Sequence, residues 1–204
     1  MIVIDGHQSD LSVKNFQNLE QVFNTIMEKG LLADRVVTDV YVNKEPFSEI
    51  YPHQSEDIDI DGVETLEINT MAVDEMAVSI TRELYKVVEL MNNGASEVAE
   101  LFRQADDADG LELYQDLLDV IRDFVQMIGV LRDEFSLTDH TEFVEASNDI
   151  SELLTEMSEV TEHEDWILLS DLLEYEFLPV VGRWKKVVAT LREDIREHRD
   201  KRRR

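Results

Sequence analysis

The chain has 204 residues, 43% of them hydrophobic, no cysteine and a formal net charge of −27 at pH 7. That apolar fraction can bury a real core, so the charge is not a sign of disorder, and the missing cysteines exclude disulfides, thiolate metal sites and cysteine nucleophiles. A body this acidic repels nucleic-acid phosphates and anionic membrane surfaces and attracts basic proteins and divalent cations. The charge is also lopsided: residues 1–182 hold 9 of the 19 Lys and Arg but 42 of the 46 Asp and Glu, a net of −33, whereas residues 183–204 carry a net of +6.

Ile2 to Ile4 form a short apolar run, followed by Phe16, Leu19, Phe23, Ile26 and Met27 at helical spacing with Gly30 as the stop. Arg35 to Val42 reads as a β-branched strand and Asn43-Lys44-Glu45-Pro46 as a turn. Ile58 and Ile60 alternate with acids ahead of Asp61-Gly62, a favoured hairpin turn, and Thr65 to Ile68 continues in strand character. The expectation for residues 1–70 is a small β-α-β-β-β unit.

From Ala72 onward the pattern is helical. Leu84, Val88, Met91, Ala95, Val98, Phe102 and Ala105 keep a 4-3 spacing straight through Asn92-Asn93-Gly94, which predicts one long helix. Asp106 to Gly110 reads as a turn plus N-cap. The next helix carries Tyr114, Leu118, Ile121, Val125, Ile128 and Phe135, with Leu117, Phe124 and Leu131 widening the stripe. Thr138-Asp139 starts a third helix bearing Phe143, Ile150, Leu153, Leu154 and Met157. Thr161-Glu162-His163-Glu164 fits a capping box opening the last helix, with Trp166, Leu169, Leu173, Val180, Trp184, Val187, Leu191 and Ile195 on one seam and Pro179 kinking it. The fold class expected is α+β, mostly α. The small unit at 1–70 precedes an up-down antiparallel four-helix bundle at 71–204, whose last helix ends in a basic overhang.

The start of the chain lacks a basic segment followed by a long apolar run, and the apolar stretch Phe124 to Leu131 is far short of the roughly 20 residues of a membrane span. A cytoplasmic protein without membrane contact is expected. The seven glycines lie at least 16 residues apart, so no phosphate cradle can form. There is no G-x-S-x-G elbow and no HExxH, and none of the five histidines has a Glu three residues before it, which removes the di-iron carboxylate bundle. No cofactor and no catalytic residue is assigned.

Two acidic runs invite a metal reading. Asp57-Ile58-Asp59-Ile60-Asp61-Gly62 matches the first half of an EF-hand loop, but Ile68 stands where the bidentate Glu belongs, and the alternating isoleucines suit a half-buried strand. Glu159, Glu162, His163, Glu164 and Asp165 form the second run, and acids in a first helical turn are expected from the macrodipole alone.

The candidate partner-binding residues are Glu174, Glu176, Arg183, Trp184, Arg199 and Arg202. Glu174 and Glu176 precede the proline kink, with Arg183 and Trp184 a turn beyond it, and could form a polar notch where a partner docks. Arg199 and Arg202 belong to the basic end, which could reach the acidic face of a second protomer; nucleic acid is disfavoured there for want of interleaved aromatics. The expected function is a non-catalytic acidic adaptor or chaperone-like protein that binds a basic or amphipathic protein segment and forms a homo-oligomer. Met76, Met91, Met127 and Met157 add adaptable packing. In architecture and charge, residues 72–195 resemble the small acidic helical chaperones of bacterial flagellar and secretion export. The alternative is a carboxylate-based, metal-dependent enzyme with a cleft between the two regions. Acidic mimicry of DNA is disfavoured by the basic end.

Overall fold

The computed structural model describes residues 1–47, 60–137 and 141–202, and of Arg202 the backbone alone. The protein is mostly helical, with a small mixed sheet at its N-terminal side, and divides into two compact units, Met1–Met76 and Ala77–Arg204.

In the first unit, strand β1 (Ile2–Ile4) turns through Asp5 and Gly6 into β2 (His7–Gln8). Both turn residues have positive φ (49° and 78°), the conformation that matches a two-residue hairpin to the twist of its strands. Helix α1 (Leu19–Glu28) opens on Asn18, whose side chain accepts from the Gln21 amide at 3.0 Å, and Gly30 follows its end at φ 65°. It buries Leu19, Val22, Phe23 and Ile26; Met27, expected on the same face, is exposed. Strand β3 (Arg35–Val42) turns through Asn43 and Lys44, again both at positive φ, into β4 (Glu45–Pro46).

Strand β5 (Leu66–Ala72) completes a five-stranded sheet in the order β2-β1-β5-β3-β4. Its pairing with β1 is parallel and with β3 antiparallel, in registers that place Ile2 beside Leu66 and Val40 beside Ile68. These residues and the apolar face of α1 form the unit's core. One expectation fails here. Ile60–Gly62 is a turn of 3₁₀ helix with Ile60 buried, so Asp61-Gly62 closes no hairpin. The rest of the EF-hand-like run, Asp57 to Asp59, lies outside the described residues. Asn43 ties this turn to the sheet: its Nδ2 donates to the Gly62 carbonyl at 2.7 Å, and its Oδ1 accepts from the amides of Glu64 and Thr65 at 2.7 and 3.1 Å.

Helix α2 (Val73–Arg103) begins where β5 ends and runs unbroken through Asn92-Asn93-Gly94. Leu84, Val88, Met91, Ala95, Val98 and Phe102 are all buried, as their spacing predicts. Ala105 falls past the helix end at φ 61°. Helix α3 (Asp107–Glu134) starts earlier than the turn reading of Asp106 to Gly110 allows. Gly110 lies inside it because a Cβ there would stand 2.9 Å from Cε1 of Phe102. The α3 core is Tyr114, Leu117, Ile121, Phe124, Ile128, Leu131 and Phe135, so Leu117, Phe124 and Leu131 are its centre, and Leu118 and Val125 its half-buried rim.

Helix α4 (Thr141–Glu162) buries Ala146, Ile150, Leu153, Met157 and Val160; the expected start at Thr138-Asp139 lies outside the described residues. Its end overturns the capping box. Thr161 is still helical and donates its hydroxyl to the Met157 carbonyl at 2.7 Å. Asp165 instead caps α5 (Trp166–Asp171), accepting from the Leu168 amide at 3.1 Å. A single π-helical turn, Leu172–Phe177, joins α5 to α6 (Leu178–Arg202), and Pro179 follows that turn directly. The basic segment is not an overhang through His198. Leu191 and Ile195 are buried, and the His198 ring meets Phe135 edge-on at 5.5 Å. No helix among the described residues is long and apolar enough to cross a membrane.

Candidate functional site

The wider turn at Leu172–Phe177 arises where the chain must keep Leu169, Leu172, Leu173 and Phe177 buried while approaching a proline. Pro179 has no N–H, and its ring crowds the carbonyl four residues back. A π turn places the Leu178 amide on the Leu173 carbonyl, five residues back. Single π turns of this kind recur at functional sites.

The outward side of this element carries side chains that a solvated helix would not select. Ile167 is 58% exposed, Leu168 43% and Tyr175 67%. Ile167, Asp171 and Tyr175 follow one another at four-residue spacing and so share a face. Arg103, from the end of α2, reaches Asp171, which lies between the two apolar residues on that face. It forks two carboxylates, donating from Nη2 to Asp171 Oδ1 at 2.8 Å and from Nη1 to Glu174 Oε2, and its Cζ lies 5.9 Å from the Tyr175 ring centroid. The hydrogen bonds it donates to Asp171 and then Glu174 raise the pKa of the Arg103 guanidinium further above its already high value. Beneath it, Phe102 stacks on Trp166 with centroids 5.1 Å apart and planes 7° from parallel. The result is a corner with apolar side chains outside and acids around them, Glu164 and Glu176 also being exposed.

The expected site residues do not come together. Glu174 is in this corner as the partner of Arg103, and Glu176 is exposed beside it. Arg183 pairs with Asp149 of α4 at 2.6 Å. Trp184 cannot meet a partner: it is fully buried, edge-on to Phe124 and Phe143 at 5.3 and 5.6 Å, because an indole is large enough to fill the space between α3, α4 and α6. Arg199 lies about 24 Å further along α6 than Arg183, taking 1.5 Å per residue, and contacts Asp200 at 3.5 Å. The Arg202 side chain lies outside the described residues. Along the same segment Arg196 pairs with Glu193 at 2.8 Å and Lys201 with Glu197 at 4.0 Å, so the cations there meet acids of their own helix.

Reading the chain alone passes over Arg103, Ile167 and Leu168. The available signal was Ile167-Leu168, two apolar residues lying off the seam that begins at Trp166 and Leu169. The ion-pair partnership of Arg103 spans 71 residues and leaves no local trace. Among the described residues no group of three or more His, Asp and Glu is placed to hold a metal ion. In the first unit, the Asp5 carboxyl accepts from the Thr70 hydroxyl and amide, both at 2.7 Å, with Arg35 at 3.1 Å; these bonds, the hydroxyl's foremost, hold its pKa below the usual carboxylate value.

Comparison with known proteins finds two family models and nothing further. Residues 1–71 match the model described as Domain of unknown function (DUF8043). No curated protein and no solved structure matches the chain. The second model, Domain of unknown function (DUF8042), covers residues 79–187 and with them α3, α4, α5, the π turn and most of α2, so the chain belongs to the DUF8042 family.

Proposed function

We propose that this is a non-catalytic interaction protein whose α5–π-turn face binds a basic, amphipathic helical segment of another protein. One observation carries the reading: Ile167, Leu168 and Tyr175 are exposed around the Arg103–Asp171–Glu174 cluster in a chain of net charge −27. Exposed apolar side chains grouped on one rigid face mark a contact surface, and acids around them select a cationic partner. Covering each half-exposed side chain is worth about 1 kcal/mol.

The frame inferred for this face is an up-down antiparallel four-helix bundle whose last helix bends at Pro179. Three sets of pairings support it. Arg103 meets Asp171 of α5 while Lys185 of α6 meets Glu89 at 2.5 Å, so α2 runs opposite to the segment from α5 through α6. Arg183 meets Asp149 and Lys186 meets Glu142, which opposes α4 to α6. Phe124 meets Trp184 and Phe135 meets His198, which aligns α3 with α6 as the diagonal pair.

A synthetic leucine–lysine amphipathic helix, titrated calorimetrically at physiological salt, tests the proposal. Ile167→Ser with Tyr175→Ala should weaken binding about tenfold or more, while Val130→Ser, which removes an exposed apolar side chain of α3, should leave it unchanged. Equal losses at both places would reduce the interaction to unspecific apolar adsorption, and no loss at either would reduce it to charge attraction alone. Self-association abolished by Tyr175→Ala would transfer the face to a second copy of the chain.

A further inference from the structure

The outward face of α2 reverses its charge along the helix. Arg82, Lys86, Leu90, Asn93, Glu97 and Glu100 recur at four- and three-residue intervals, so they share one face, and all of them are exposed. The N-terminal half of this face carries Arg82 and Lys86, the C-terminal half Glu97 and Glu100, and Leu90 stands between them, 56% exposed. Arg82 makes no ion pair among the described residues. Lys86 pairs with Glu83 of its own helix at 2.7 Å, the two side chains being 71% and 62% exposed. A pair that exposed contributes little and does not hold the ammonium back from another carboxylate.

Beside Leu90 the surface is hollow. An open groove of about 410 Å³ runs between α2 and α3, lined by Leu90 and Gly94 of α2 and by Leu113 and Val120 of α3, with Asp116 and Asp119 at its edge. Asp119 is paired with Arg122 at 2.7 Å. Gly94 keeps the α2 side of the groove low. A Cβ there would meet only Leu117 Cδ1, at 3.6 Å, an ordinary contact, so the packing of α2 on α3 does not require glycine. Glycine inside a helix lowers its stability relative to alanine, and the space it leaves here lies on the outer surface, where another helix can come close.

A knob and a hollow one turn apart, set between a basic and an acidic half, complement themselves when a second copy is laid antiparallel. We infer that this face of α2 is a two-fold interface through which two copies of the chain pair. Leu90 of each copy enters the groove at Gly94 of the other, while Arg82 and Lys86 face Glu100 and Glu97. A purely cationic partner would match the acidic half and leave Arg82 and Lys86 opposite like charge. The net charge of −27 on each copy opposes the pairing, but at physiological salt charges more than about 8 Å apart are largely screened. The interface uses none of the residues of the α5–π-turn face and does not depend on that reading.

Sedimentation equilibrium of the full chain at physiological salt, over a series of protein concentrations, should show a monomer–dimer equilibrium. Leu90→Ser and Gly94→Leu, each alone, should weaken it about tenfold or more. Arg82→Glu with Lys86→Glu should do the same, and adding Glu97→Lys with Glu100→Arg should restore it. Within one copy Lys86 lies about 16 Å from Glu97 along the helix, and Arg82 about 27 Å from Glu100, so restoration arises only between copies. Leu90 and the charged side chains are exposed, so these substitutions spare the core, which far-UV circular dichroism checks. Ile167→Ser with Tyr175→Ala should leave the dimer unchanged. A monomer at every concentration, a dimer indifferent to Leu90→Ser, no restoration by the second charge reversal, or loss of the dimer in the Ile167–Tyr175 variant would each overturn the inference.

Discussion

Alanine at Gly110 should destabilise this protein, although the same substitution elsewhere in the same helix should do the opposite. In a helix interior, Gly→Ala ordinarily gains about 1 kcal/mol. At Gly129 of α3 nothing lies within 4 Å of the added Cβ, so that gain should appear in full. At Gly110 the Cβ would stand 2.9, 3.1 and 3.3 Å from Cε1, Cδ1 and Cζ of Phe102. The ring has little room to retreat, being 2% exposed and stacked on Trp166. Overpacking of this kind costs about 1–3 kcal/mol. Setting about 2 against the helical gain leaves Gly110→Ala about 1 kcal/mol less stable than the parent. For a chain of this size that is a fall in Tm of about 2–4 °C, against a rise of similar size for Gly129→Ala. Thermal melts followed by far-UV circular dichroism read both. The Gly110→Ala step should turn favourable in a Phe102→Leu background, a coupling that a double-mutant cycle isolates. Gly110→Ala stabilising the parent as much as Gly129→Ala would refute the reasoning.

Two further predictions concern backbone strain and charge. Ala105, Ser136 and Glu164 follow the ends of α2, α3 and α4 with φ of 61°, 53° and 55°, and in each case the next amide reaches back five residues, to Leu101, Arg132 and Val160. Glycine at each should stabilise by about 1 kcal/mol in urea unfolding, since it relieves the left-handed strain while keeping the bond; no gain at any of the three would remove the argument. For Asp5, a depressed carboxyl pKa stabilises the fold above the usual carboxylate value and is lost as pH falls through the lowered one. Thr70→Val, which deletes the largest cause, should move the Asp5 titration measured by carboxyl-carbon NMR up toward the ordinary range and make the acid-side loss of stability shallower. An unmoved titration would show that the Thr70 amide and Arg35, not the hydroxyl, set it.

The long-period features were legible because burial enforces them. The seam of α2 survives an Asn-Asn-Gly interruption since each of its seam residues from Leu84 to Phe102 has a core to enter. In α3 the same rule gave the right helix and a stripe one residue off at two positions, because Leu117 and Leu118, or Phe124 and Val125, are equally apolar and only packing chooses between them. The helix ends were illegible for a different reason. Glycine is the expected left-handed stop, and Ala105, Ser136 and Glu164 occupy that conformation without it. At Thr161 a capping-box pattern lay one turn before the true break, and Asp165 took the role. Strands of two residues, such as β2 and β4, are too short to show any period. At the candidate site the acids of the π turn could be read locally. The Arg103 fork could not, since it joins residues far apart in the chain. Trp184 misled because an aromatic beside charged neighbours looks the same in sequence whether it faces a partner or the core.

The outer strands of the sheet are its least conspicuous feature. β2 and β4 are two residues long, all four positions are exposed, and one of them is Pro46, which has no amide hydrogen to offer. Long flat edges are templates for further strands, and native sheets that avoid aggregation shorten them or interrupt them with proline. At β2 and β4 this sheet does both, so these two strands give an incoming chain almost no ladder to extend. Fibril growth from β2 or β4, and recognition of a peptide by strand addition there, are both disfavoured, and the side of β3 from Arg35 to Asp39 that β4 does not pair is where the sheet's backbone could still be read.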